Sequence, residues 1–206
     1  SGFEMENAAS TAGLFRIIAE NGTVRDLNVT GNVTPQGTAQ RIGGIAGENR
    51  GRIISCSFSG TVKGSRQTGG ICGSNESGGM ISGCSVSGIV EGDHETGGIC
   101  GENAGCIRQC LNHAQVNTDA PEIIEQETAD IIPDLSLSAE EIIDITDIGG
   151  IAGYSSGNIK DCTNDGEVGY IHAGYNIGGI CGHQSGIISG CSNSGRVVGR
   201  KDVGGI

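Results

Sequence analysis

Gly43-Gly44-Ile45-Ala46-Gly47 returns as Gly69-Gly70-Ile71-Cys72-Gly73, Gly97-Gly98-Ile99-Cys100-Gly101, Gly149-Gly150-Ile151-Ala152-Gly153 and Gly178-Gly179-Ile180-Cys181-Gly182. The last residues, Gly204-Gly205-Ile206, open a sixth copy. Such self-similarity marks a stack of supersecondary units, none of which can bury its apolar face alone. After each pentad and a polar turn comes an apolar residue, then a cysteine three positions on and a valine six beyond that. The series runs Ile53, Cys56, Val62; Ile81, Cys84, Val90; Ile107, Cys110, Val116; Ile159, Cys162, Val168; Ile188, Cys191, Val197. An opening coil fits the same frame with Val24, Leu27 and Val33, its pentad degenerated to Ala12-Gly13-Leu14-Phe15-Arg16.

Short segments carrying Ile, Val, Ser and Thr between glycines read as strands, because glycine supplies turn conformations and β-branched residues suit a pleat. Three strands and three turns per coil predict an all-β right-handed parallel β-helix of about six coils, with equivalent residues about 4.8 Å apart along the axis. A leucine-rich horseshoe is the rival, since Val24, Leu27, Val29 and Asn32 fit its short pattern. Only five leucines in 206 residues count against it. The whole chain, 1–206, reads as one solenoid segment, expected to continue into further repeats or domains of a longer parent.

With 39 glycines, no tryptophan and 3% aromatics, the interior must be built from small aliphatic side chains. Cysteine serves as one of them. It exchanges with Leu27 in one column and with Ala46 and Ala152 in the other, which marks both columns as packing positions for reduced thiols. In-register Cβ atoms on adjacent coils stay parallel, whereas a disulfide needs them converging. The four histidines are scattered and no paired C-x-x-C occurs, so no metal or other cofactor is expected. Cys106 stands outside both columns and is read as solvent-facing. The position two after the ladder cysteine changes from Phe58 and Val86 to Asn112, Asn164 and Asn193, predicting an inward amide ladder bonded between coils or to turn backbone.

Net charge is −12, and ten of the 24 acids fall within Thr118 to Asp147, a stretch without Lys or Arg. The rest of the chain is nearly neutral and has no basic stripe, so nucleic acid is not an expected partner. No apolar run is long enough to span a bilayer, so no membrane insertion is expected within this segment. Residues 118–147 are an acidic insertion that doubles the spacing between the third and fourth pentads. Ser138-x-x-Glu141 is a capping box, Pro121 suits a first helical turn, and paired isoleucines give a buried side; one or two short helices are expected there. Near the fifth pentad, Gly169-Tyr170-Ile171-His172-Ala173-Gly174-Tyr175 gathers two tyrosines and an imidazole, with Tyr154 a strand away. Tyr154, Tyr170, His172 and Tyr175 are the candidate ligand-binding residues, as aromatic faces for a sugar ring or a tyrosine-buttressed turn.

The pentad, followed by Gly-x-Ile-x-x-Cys and then by Gly-x-Val-x-Gly, resembles the GLUG motif, whose core here is Gly44-Ile45-Ala46-Gly47 and its copies. That resemblance implies an extracellular β-solenoid of a bacterial secreted or cell-surface, adhesin-like protein, with no catalytic set to carry over. It also covers non-catalytic regions of immunoglobulin-A-cleaving metallopeptidases. A non-catalytic structural and adhesive module is therefore expected, with a host or matrix protein or a glycan as partner. The alternative is a polysaccharide lyase or glycoside hydrolase, which needs converging acids or a base at stacked positions. Asp26, Asp161, Asp165 and Glu167 form no repeated column.

Overall fold

The computed structural model describes residues 3–5, 10–119 and 145–206. Among them every regular element is a strand, and every strand pairing is parallel and joins successive coils. The horseshoe rival thus lacks the helical side it requires. The strands form four sheets rather than the three expected. An entry sheet comprises Gln40–Gly43, Arg66–Gly69, His94–Gly97, Thr146–Gly149, Tyr175–Gly178 and Lys201–Gly204. An exit sheet follows with Phe15–Ile18, Ala46–Asn49, Cys72–Asn75, Cys100–Asn103, Ala152–Ser155 and Cys181–Gln184. A third sheet runs from Thr23–Arg25 to Ile187–Ser189, and a fourth carries the longest strands, including Ser57–Lys63 and Ser85–Glu91.

The additional sheet has its origin in the pentad. Instead of lying within one strand it wraps a corner: Gly69 ends the entry strand, Cys72 begins the exit strand, and the chain turns at Gly70-Ile71. Two close approaches require glycine there. A Cβ on Gly98 would overlap the Asn112 amide and the Gly150 carbonyl, and one on Gly153 would overlap the backbone of Glu95 and Thr96 in the coil before. The third residue of each pentad fills the interior: Ile45, Ile71, Ile99, Ile151 and Ile180 are fully buried.

Register carries the repeat through the insertion. Leu111 and Asn112 pair with Thr163 and Asn164 as directly as Ser57 pairs with Ser85. The core is a continuous file of Ile53, Ile81, Ile107 and Ile159 beside Cys56, Cys84, Cys110 and Cys162, all buried. The amide ladder takes both expected routes. Asn112 donates to Asn164 at 2.7 Å and Asn164 to Asn193 at 2.8 Å, while the same amides close the turns at Ala114, Gly166 and Gly195.

A second ladder went unread in the sequence. Asn49, Asn75, Asn103 and Ser155 occupy the second position after the first four pentads and are fully buried, while the fifth has the half-buried Gln184 there. They bond in file at 2.8, 2.8 and 3.0 Å. In both ladders each buried amide is satisfied by its own copy one coil away, so polar residues cost little inside this rod.

Two columns of non-glycine residues hold left-handed backbone. Arg41, Gln67, Glu95, Asp147, Asn176 and Asp202 kink the entry strands at φ of 52–59°. Asp26, Ser55, Gln109 and Asp161 do so just before the ladder position, where Gly83 and Gly190 stand in other coils. The kink of the first column turns its side chains toward the exit sheet. Of the insertion expected at 118–147, Thr118 and Asp119 are not helical and Thr146-Asp147 belong to an entry strand; the rest of the expected helices, 120–144, lies outside the described residues.

Candidate functional site

The two departures from the repeat leave the solenoid at one corner, between fourth and entry sheets, on consecutive coils. The insertion departs after Val116-Asn117 and returns at Ile145-Thr146, and the Tyr170 loop occupies 169–174 on the next coil. Backbone bonds tie them together: Gly169 donates to Val116 at 2.8 Å and Tyr175 to Ile145 at 3.0 Å. Beneath lies a small core of Val116, Ile148, Val168 and Ile177, with Ile145 and Val197 against it. A buried apolar base under two excursions gives them a fixed root.

The candidate aromatic residues do not form one group. Tyr170 and His172 make an edge-on pair with ring centroids 5.9 Å apart on the exposed loop, and Ile171 between them is 51% exposed. Tyr175 starts an entry strand and pairs in register with Thr146 and Lys201. Tyr154 belongs to a different surface. It lies on the exit sheet, between Glu102 and His183 on adjacent rungs, and its ring sits 5.1 Å from that of His183.

That surface is a seam running along the rod, where the outward column of the exit sheet meets the kinked column of the entry sheet. The first column reads Glu48, Ser74, Glu102, Tyr154, His183. The second reads Arg41, Gln67, Glu95, Asp147, Asn176. Side chains cross the seam repeatedly. Arg41 bonds Glu48 at 3.2 Å, the Gln67 amide donates to Glu102, and His183 Nδ1 lies 3.9 Å from Asp147, while Asn176 donates to Asp147 at 2.8 Å along the second column. Desolvation first, then the fields of Glu95 and Glu76, hold the Glu102 carboxyl above its usual range. In the sequence these columns are the residues just after each pentad and two before it. Their signal was positional, and only the kink at the second column shows that they meet.

Elsewhere among the described residues a serine, an imidazole and a carboxylate come together, but in an unproductive order. Ser194 donates to Asp165 at 2.6 Å and His113 Nδ1 lies 3.5 Å from the same carboxylate, so the acid sits between the other two. A nucleophilic serine needs the imidazole as its immediate base. Asp26 and Asp161 hold kinked positions before the ladder residue, and Glu167 pairs with Arg196 at 2.6 Å.

All nine cysteines are free thiols; seven are buried, while Cys106 and Cys191 are half-exposed. The reading of Cys106 as open to solvent is thus met in part. Burial pushes the Cys181 thiol up to about 12 and also drives Cys100 well above its ordinary value. Such thiols are neutral packing groups rather than nucleophiles. Among the described residues no three His, Cys, Asp or Glu side chains converge as a metal site would require, and no helix is long and apolar enough to cross a membrane.

The family described as the GLUG motif matches residues 38–63 and 64–91, two successive coils. No curated protein matches the chain. Among solved structures it is similar to a protein of Bacteroides ovatus designated a "putative immunoglobulin A1 protease", at 20% identity and a TM-score of 0.60. The likeness takes in 99% of this chain and 66% of that one, so this chain spans just under two thirds of its neighbour's length. At that identity it bears on the fold alone. Two coils match the motif and the rest stack on them in the same register, so the chain is a parallel β-solenoid that carries GLUG repeats at 38–91.

Proposed function

We propose that the chain is a non-catalytic structural and adhesive module of a bacterial secreted or cell-surface protein, and that it presents an extended surface to a host or matrix protein or a glycan. One observation carries the reading: the frame changes little inside, within a small set of packing residues, and widely along the seam. The inward columns repeat Ile, Cys, Val and Asn from coil to coil. The exit-sheet column of the seam changes residue at every rung, through Glu48, Ser74, Glu102, Tyr154 and His183. A rigid scaffold with side chains spaced one rung apart suits recognition of an extended partner.

The test is a binding array of glycans and matrix proteins probed with this chain. Saturable capture of one class, weakened by substitutions in the seam or the Tyr170 loop, supports the module. Measurable cleavage of a uronic-acid or neutral polysaccharide would overturn it in favour of the lyase or hydrolase alternative. A second reading, a non-catalytic region of an extracellular peptidase, draws on the fold likeness to the Bacteroides protein. A peptidase domain in the flanking sequence of the parent would favour it.

A further inference from the structure

In the second coil, Glu48 is sealed within the seam at 3% exposure, and two guanidinium groups hold it. Arg41, seven residues before, binds one carboxylate oxygen at 3.2 Å, and Arg50, two residues after, binds the other. The repeat frame places Glu102 at the equivalent point two rungs along. There the residue seven before is Glu95 and the residue two after is Ala104. The same acid has lost both cations, and another acid has replaced one of them. Arg66 is engaged with Glu95 in a two-point contact at 2.7 and 3.3 Å, so Arg66, like Arg41, reaches Glu102 through its field alone. Gln67 gives Glu102 one neutral amide donor.

We propose that the seam from Glu102 to His183 is a docking subsite for an arginine side chain of a partner polypeptide. The internal repeat supplies the observation that a guanidinium belongs here, since at the identical position the protein provides two of its own. Ala104 leaves open the approach that Arg50 fills in the second coil. Tyr154 stands half-buried on the rung next to Glu102, placing an aromatic ring beside the same position, and cation–π contacts favour guanidinium over ammonium. Asp147, with a side chain 19% exposed beside His183, extends negative potential toward the next coil. Burial first, then the fields of Glu95 and Glu76, raise the Glu102 carboxyl, and a cation docked beside it would offset both. Glu95, Glu102 and Asp147 against Arg66 leave this part of the seam with an excess of acids, which favours encounter with a basic side chain.

This inference rests on the recognition-module reading and names the chemistry of its partner. The experiment titrates the chain with a capped Gly-Arg-Gly peptide and with its neutral citrulline counterpart, and follows the Tyr154 and His183 ring resonances. Saturable shifts at both rings with the arginine peptide, and none with citrulline, are expected. Glu102→Gln and Ala104→Arg should each weaken binding at least tenfold, the second by restoring the internal cap. Asp165→Asn, on another face, should leave it unchanged. Unmoved rings, equal shifts from citrulline, or undiminished binding by Glu102→Gln would overturn the proposal. Should the glycan and matrix array show capture that Glu102→Gln does not alter, the recognition module stands and the arginine subsite falls.

Discussion

Thr68 and Thr96 stack on adjacent rungs of the entry sheet, fully buried, and their hydroxyls have no hydrogen-bond partner. Their column otherwise holds Ile42, Ile148 and Ile177, all buried, and Val203 on the exposed last rung, so the site is apolar by construction. Replacing each threonine by valine keeps the branched shape and puts a methyl where the orphan hydroxyl sits. An unsatisfied buried hydroxyl costs about 1–3 kcal/mol, and the added methyl buries apolar surface worth about 0.8 kcal/mol. Allowing for imperfect fit, each substitution should stabilise by about 1–2 kcal/mol, and the pair by about 2–4 kcal/mol. For a domain of this size that raises the melting midpoint by roughly 5–12 °C. Thermal unfolding of the single and double variants, followed by circular dichroism, reads the effect. An unchanged or lowered midpoint would refute the reasoning, since it would mean the hydroxyls are satisfied in solution.

Stability should also respond to alkali through the buried thiols. Cys181 stands at about 12 in the folded chain against an ordinary 9.0. Below the ordinary value the thiol is neutral in both states. Above it the unfolded chain gives up a proton that the folded chain keeps, so stability should fall as pH rises from about 9 towards 12, by up to about 1.4 kcal/mol per unit for each such thiol. Urea titrations at successive pH values check this, and a flat profile would contradict it. In thiol labelling of the native chain, Cys106 and Cys191 should react while the other seven wait for denaturant; fast labelling of Cys110 would sink the sealed-column picture. Asn164→Ala should cost about 2–4 kcal/mol in urea unfolding by orphaning Asn112 and Asn193, whereas Thr163→Ala beside it should cost under about 0.5 kcal/mol. Gly150→Ala should cost at least about 3 kcal/mol, because its Cβ would overlap the Gly179 carbonyl and the Asn164 amide, while Gly205→Ala, which meets nothing within 4 Å, should be nearly neutral.

The interior was legible in the sequence because stacking copies each choice. Once Ile53, Cys56 and Val62 recur at fixed spacing, one coil's buried positions are every coil's, and Asn112 can be read as inward from Phe58 and Val86 alone. The fourth sheet was not legible, since Gly-Gly-Ile-Cys-Gly is compatible with a strand or a corner. What decides is the backbone of the neighbouring coil lying against Gly73 or Gly153, a contact that no local pattern encodes. The seam was hidden for a related reason. Glu102 and Glu95 are seven residues apart on different strands, and they meet because Glu95 has left-handed backbone, a conformation that glutamate gives no cause to expect. Tyr154 was singled out for its aromatic ring, but its neighbours come from register rather than from the loop with Tyr170 and His172.

The stack itself is tested most directly at the point where sequence distance and rung distance disagree most. Asn112 and Asn164 are 52 residues apart in the chain, with the insertion between them, yet their side-chain amides are bonded at 2.7 Å. A nitrogen-edited nuclear Overhauser spectrum should show cross-peaks between those two side-chain amides, and between Asn164 and Asn193, with all three protected from solvent exchange. Rapidly exchanging amides without these cross-peaks would contradict an in-register solenoid that carries its ladder unbroken past residues 118–147.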